Sequence, residues 1–83
     1  MPVPVNEIWK LKTYITTAVS ESSGEYTDRD HVIIESLKEI DNEYEISGKY
    51  FVPFTGKKHD YKIRINTNEE ISFLSIDDKQ IIS

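Results

Sequence analysis

The sequence predicts an α+β fold, one N-terminal helix packed on a four-stranded antiparallel meander sheet (α-β-β-β-β). Three observations predict it. An apolar stripe at helical spacing runs through Ile8, Leu11, Ile15 and Ala18. Residues 59–66 alternate strictly, with Tyr61, Ile63 and Ile65 apolar and Asp60, Lys62 and Arg64 polar. Short turn-forming clusters, Asp41-Asn42, Thr55-Gly56-Lys57-Lys58 and Asn66-Thr67-Asn68-Glu69, separate the β-type runs.

The helix is expected over residues 6–23. Asn6 can cap it, Pro2 and Pro4 keep the preceding segment extended, and Trp9 and Val19 widen the apolar stripe. Gly24 suits the left-handed position just past its end. A polar connection follows over residues 25–31.

Residues 32–40 admit two readings. Val32, Ile33 and Ile34 are three consecutive β-branched residues and favour a strand that turns at Asp41-Asn42. A helix over 28–40 would use Ile33, Leu37 and Ile40, with Thr27 and Asp30 placed as a capping box, giving α-α-β-β-β.

The second strand, residues 43–53, places Tyr44, Ile46, Gly48, Tyr50 and Val52 on one face. Glu45, Ser47, Lys49 and Phe51 take the other. The third strand is residues 59–66 and the fourth residues 71–76, while 77–83 reads as a flexible tail. In this layout the helix stripe buries against Ile46, Tyr50, Ile63 and Ile65.

Eighty-three residues suit one small domain, 1–83. A composition 37% hydrophobic and 11% aromatic is too apolar for disorder, and 30% charged is too polar for a membrane protein. There is no cysteine, hence no disulfide framework and no thiolate chemistry. With no basic n-region and no apolar h-region at the N-terminus, the expected compartment is cytoplasmic.

The net charge of −5 is unevenly distributed. Residues 25–48 carry eight acids against Arg29 and Lys38, whereas residues 49–64 carry Lys49, Lys57, Lys58, Lys62 and Arg64 against Asp60. An acidic total argues against duplex DNA, whose binding rests on phosphate neutralisation.

Residues 32–46, Val32-Ile33-Ile34-Glu35 through Tyr44-Glu45-Ile46, resemble the opening hairpin of PepSY-like and cystatin-like domains. Residues 61–73, Tyr61-Lys62-Ile63-Arg64-Ile65 through Ile71-Ser72-Phe73, are similar to their closing hairpin. The general build is also similar to that of the gas-vesicle accessory family. The resemblance covers roughly residues 30–76 and implies a helix-on-sheet fold. The Gln-x-Val-x-Gly loop with which cystatins bind proteases is absent, so no active site comes with it.

Candidate chemistry is sparse. Asp28, Asp30 and His31 form the one histidine-containing cluster of hard ligands, but their spacing fits turn and cap chemistry, and no metal site is expected. His59 and Asp60 are strand neighbours pointing to opposite faces. With no Gly-x-Ser-x-Gly, phosphate loop or dinucleotide fingerprint, no cofactor and no catalysis are expected.

The expected function is a protein-interaction or accessory module using Phe51, Phe54 and an edge strand, with a protein partner or a second copy of the chain. The alternative is single-stranded nucleic acid bound on the outer sheet face by Lys49, Lys57, Lys58, Lys62 and Arg64 beside Phe51 and Phe54. The same cations also suit a solvated face that balances acidic neighbours across the hairpin.

Overall fold

The computed structural model describes residues 8–82; Asn6, Pro2, Pro4 and the side chain of Ile8 lie outside the described residues. One N-terminal helix packs on a five-stranded antiparallel meander sheet. The elements are α1 (Ile8–Ser23), β1 (Val32–Ile40), β2 (Glu43–Val52), β3 (Lys57–Ile65), β4 (Ile71–Ile76) and β5 (Lys79–Ile82), in sheet order β1-β2-β3-β4-β5. Among the described residues no helix is long and apolar enough to cross a membrane.

Leu11, Ile15, Ala18 and Val19 face the sheet and are buried. They meet Ile46 and Tyr50 of β2, Ile63 and Ile65 of β3, and Leu74 of β4 in one core. β2, β3 and β4 each contribute every second residue, the periodicity expected of a sheet covered on one face. Trp9 does not join this stripe. It is 56% exposed, with Lys10 Nζ 5.6 Å and the Arg29 guanidinium 5.9 Å from its ring centre. Gly24 ends α1 at φ 74°, its N–H donating to the Ser20 carbonyl at 2.9 Å.

Residues 32–40 are a strand, and the helical alternative is excluded. Helical structure in residues 25–31 is confined to a 3₁₀ turn, Arg29–His31, capped by Asp28. The Asp28 carboxylate accepts from the Asp30 N–H at 3.1 Å and lies 2.5 Å from His31 Nδ1. Asp28 thus performs the cap chemistry its spacing suggests.

The β1–β2 turn places Asp41 and Asn42 at φ 49° and 66°, the doubly left-handed geometry whose twist matches a two-residue hairpin. Within β1 the register slips between Ile34 and Ser36, leaving Glu35 as the extra residue of a bulge opposite Gly48 and Ser47. A Cβ at Gly48 would collide with the Ile33 carbonyl, so the bulge requires a glycine there.

One further difference from the sequence expectation stands out. The sheet has five strands rather than four, because Lys79–Ile82, assigned above to the tail, pairs with β4. Asp77 and Asp78 make the intervening turn at φ 52° and 65°, without a glycine or asparagine to announce it. Tertiary bonds hold that turn. The Asp77 carboxylate accepts from the Asp60 N–H at 2.9 Å and lies 2.6 Å from His59 Nδ1, and the Asp77 N–H donates to the Asp60 carbonyl at 2.8 Å. These contacts give tertiary support to a left-handed backbone that aspartate tolerates better than most residues.

Candidate functional site

The outer face of the sheet, opposite α1, carries Lys49, Lys58, Lys62 and Arg64 of the basic run over 49–64. The register sets Lys49 opposite Asp60, Phe51 opposite Lys58, Ser47 opposite Lys62 and Glu45 opposite Arg64, so Lys49, Phe51, Lys62 and Arg64 share that face as expected. Its charges are interleaved rather than uniformly positive. Lys49 Nζ is 3.0 Å from Asp60 and Arg64 Nε is 2.9 Å from Glu45, while the Arg64 guanidinium lies 5.7 Å from the Phe73 ring centre. The Asp60 carboxylate beside Lys49 raises the lysine pKa. Lys57 leaves this face and lies 3.9 Å from Glu25. Lys58 and Lys62 are exposed and have no ion-pair partner among the described residues. Such cross-strand pairs are what the solvated-face reading anticipates.

Phe51 and Phe54 have different surroundings. Phe51 is half-buried, and its carbonyl accepts from Thr27 Oγ1 at 2.5 Å, tying the segment before β1 to the end of β2. Phe54, in the β2–β3 turn, is 82% exposed and packs on Tyr26 with ring centres 5.5 Å apart. Tyr26 was not singled out in the sequence. It is brought to Phe54 by the Thr27 bond next to it, a contact spanning 24 positions of chain.

The longest exposed apolar feature lies on β1. This nine-residue strand is a sheet edge, and it leaves Ile33, Leu37 and Ile40 44%, 39% and 41% exposed. The opposite edge, β5, has four residues. A long edge with large apolar side chains offers both unpaired backbone groups and hydrophobic surface to another chain.

One titratable cluster escaped the sequence reading because it joins three separated segments. A cleft of about 240 Å³ is lined by Ser23, Glu25, Tyr50, His59, Asp77 and Lys79. His59 Nδ1 faces Asp77 Oδ2 at 2.6 Å, and Nε2 faces Glu25 Oε1 at 3.2 Å. Asp77 is held below the usual carboxylate range by its bond with His59 and, secondarily, by the Asp60 N–H. Asp77 bonds Nδ1 and Glu25 lies in ion-pair range of Nε2, which is buried without a hydrogen-bond partner among the described residues, so His59 clamps the segment after α1 and the β4–β5 turn to β3. Among the described residues no group of three His, Asp or Glu side chains is arranged to hold a metal ion.

No family model, curated protein or solved structure matches the chain. The likeness to PepSY-like and cystatin-like domains therefore extends to a helix followed by an antiparallel meander, and no family is identified.

Proposed function

We propose that this chain is a non-catalytic protein-interaction module whose principal binding surface is the β1 edge. The observation that carries the reading is the exposure of Ile33, Leu37 and Ile40 along a nine-residue edge strand. An incoming extended segment would take its main-chain hydrogen bonds from this edge and bury those side chains. The exposed Phe54–Tyr26 pair stands at the end of the sheet where β1 begins and offers an aromatic anchor beside it.

The alternative, single-stranded nucleic acid on the outer face, has weaker support. Lys49, Lys57 and Arg64 are engaged by acids, leaving Lys58 and Lys62 as the exposed cations without such partners. Affinity capture from native lysate tests the principal reading when the wild-type chain is compared with Ile33→Lys and Phe54→Ala. Proteins, or further copies of the chain, retained by the wild type and lost from Ile33→Lys are the expected outcome. A strictly monomeric chain that retains nothing, or a retained set that neither variant alters, contradicts it.

A further inference from the structure

We infer that the occupant of the β1 edge is a second copy of this chain, paired antiparallel about a two-fold axis through Leu37; this rests on the edge reading above. The bulge supplies the key geometry. Ile33 stands opposite Lys49 and Ile40 opposite Glu43, positions an even number of residues apart on β2, so both isoleucines point to the outer face. Lys38, opposite Glu45, points there too. Ile34 and Glu39, opposite Gly48 and Tyr44, point to the helix side. In an unbulged strand Ile33 and Ile40 would face opposite ways, because an odd number of steps separates them.

Directly opposed residues in an antiparallel pair share a face. Pairing two β1 strands about Leu37, which stands opposite Ile46 on the helix side, sets Leu37 against the partner's Leu37 and the bulged Glu35–Ser36 pair against the partner's Lys38. Beyond the bulge Ile34 meets the partner's Glu39 and Ile33 the partner's Ile40, each twice by symmetry. Glu35, the extra residue of the bulge, is exposed, and its charge is felt both by outward-facing Lys49 and by Tyr61 on the helix side. Neither Glu35 nor Lys38 has an ion pair among the described residues, so both charges are available for a partner. The register thus joins apolar to apolar and acid to base on the outer face.

Competing registers do worse. Centring on Lys38 opposes two like charges, and centring on Ser36 opposes outward Ile33 to Glu39 on the helix side. The slip at Glu35 recurs on either side of the Leu37 axis, opposite the partner's Lys38, so the residues beyond it keep matching faces. The result would be a continuous ten-stranded sheet in a closed dimer, with both β1 edges consumed.

Sedimentation velocity of the full chain from micromolar to millimolar concentration tests this, using the wild type, Glu35→Lys, Lys38→Glu and the double exchange. The expected result is a concentration-dependent dimer, weakened about tenfold or more in each single variant at low salt and recovered in the double variant. Unchanged melting curves show that the exposed substitutions leave the fold intact, and recovery in the double exchange is independent of that control. A wild type that remains monomeric throughout, single variants that dimerise like the wild type, or a double variant that fails to recover would overturn the assignment. Such a failure leaves the edge reading to the Ile33→Lys capture comparison, which asks about other protein partners.

Discussion

The Tyr61 hydroxyl donates to the Ile33 carbonyl at 2.9 Å, reaching from β3 to β1 across Gly48 of β2. Gly48 stands opposite both Ile34 and Tyr61, and the place its side chain would take is filled by the same Ile33 carbonyl that Tyr61 bonds. The same contact braces the bulge that sets the phase of the β1 edge, so core packing and the proposed interface meet at Tyr61, Gly48 and Ile33. Burial holds the Tyr61 phenol far above its usual titration range, so it remains a hydrogen-bond donor at physiological pH.

Gly48→Ala is expected to destabilise the domain by about 2–3 kcal/mol, because the new methyl meets backbone rather than a movable side chain. Tyr61→Phe keeps the ring and loses only the bond to Ile33, about 1 kcal/mol. Urea denaturation measures both. A Gly48→Ala midpoint equal to that of the wild type would show that β1 is not bulged over Gly48.

Ile15→Asp and Ile63→Asp each place a carboxylate at a fully buried position, one on α1 and one on β3. An unpaired charge there destabilises by more than a thin core can absorb, so both variants are expected to be unfolded at room temperature. Circular dichroism showing native melting for either would disprove helix-on-sheet packing through these residues.

Asp77 gives an acid limb of predictable sign. Its folded-state pKa is depressed, first by the bond with His59 and then by the Asp60 N–H. The resulting stabilisation is present above the unfolded carboxylate value of about 4 and is lost as pH falls through the folded value. Asp77→Asn is expected to lower the melting temperature by a few degrees near pH 6 and to converge with the wild type in acid. A constant difference at all pH values would show that the Asp77 charge plays no part.

The mixed charge of the outer face predicts that a short single-stranded oligonucleotide gains little affinity from it. Fluorescence polarisation at two salt concentrations checks this. Tight binding that falls steeply with salt, and is abolished by Lys58→Glu and Lys62→Glu together, would favour the nucleic-acid reading.

Much of the sheet was legible because its strands follow period-two alternation and its first turn carries Asp41-Asn42, residues tolerant of left-handed backbone. The β1 strand was ambiguous for a physical reason. Once a bulge inserts Glu35, the outward and inward positions no longer alternate, and Ile33, Leu37 and Ile40 fall at spacings that also suit a helix. β5 was hidden because Asp77-Asp78 is a turn by virtue of His59 and Asp60, partners on another strand, rather than by its own composition. Of the expected site residues, Phe54 is exposed and Phe51 is half-buried. Tyr26 and the Glu25–His59–Asp77 clamp are products of tertiary contact and had no local signal. Trp9 fits the helical stripe by spacing yet lies on its exposed border, where Lys10 and Arg29 approach its ring.

The most direct test of the β1 edge as an interface is amide hydrogen exchange of Val32–Ile40, compared between dilute and concentrated protein. The outward-facing amides of β1 are expected to become more protected as concentration rises, while those of the other edge, Lys79–Ile82, stay unchanged. Protection of β1 that is independent of concentration and of any captured protein would contradict the account.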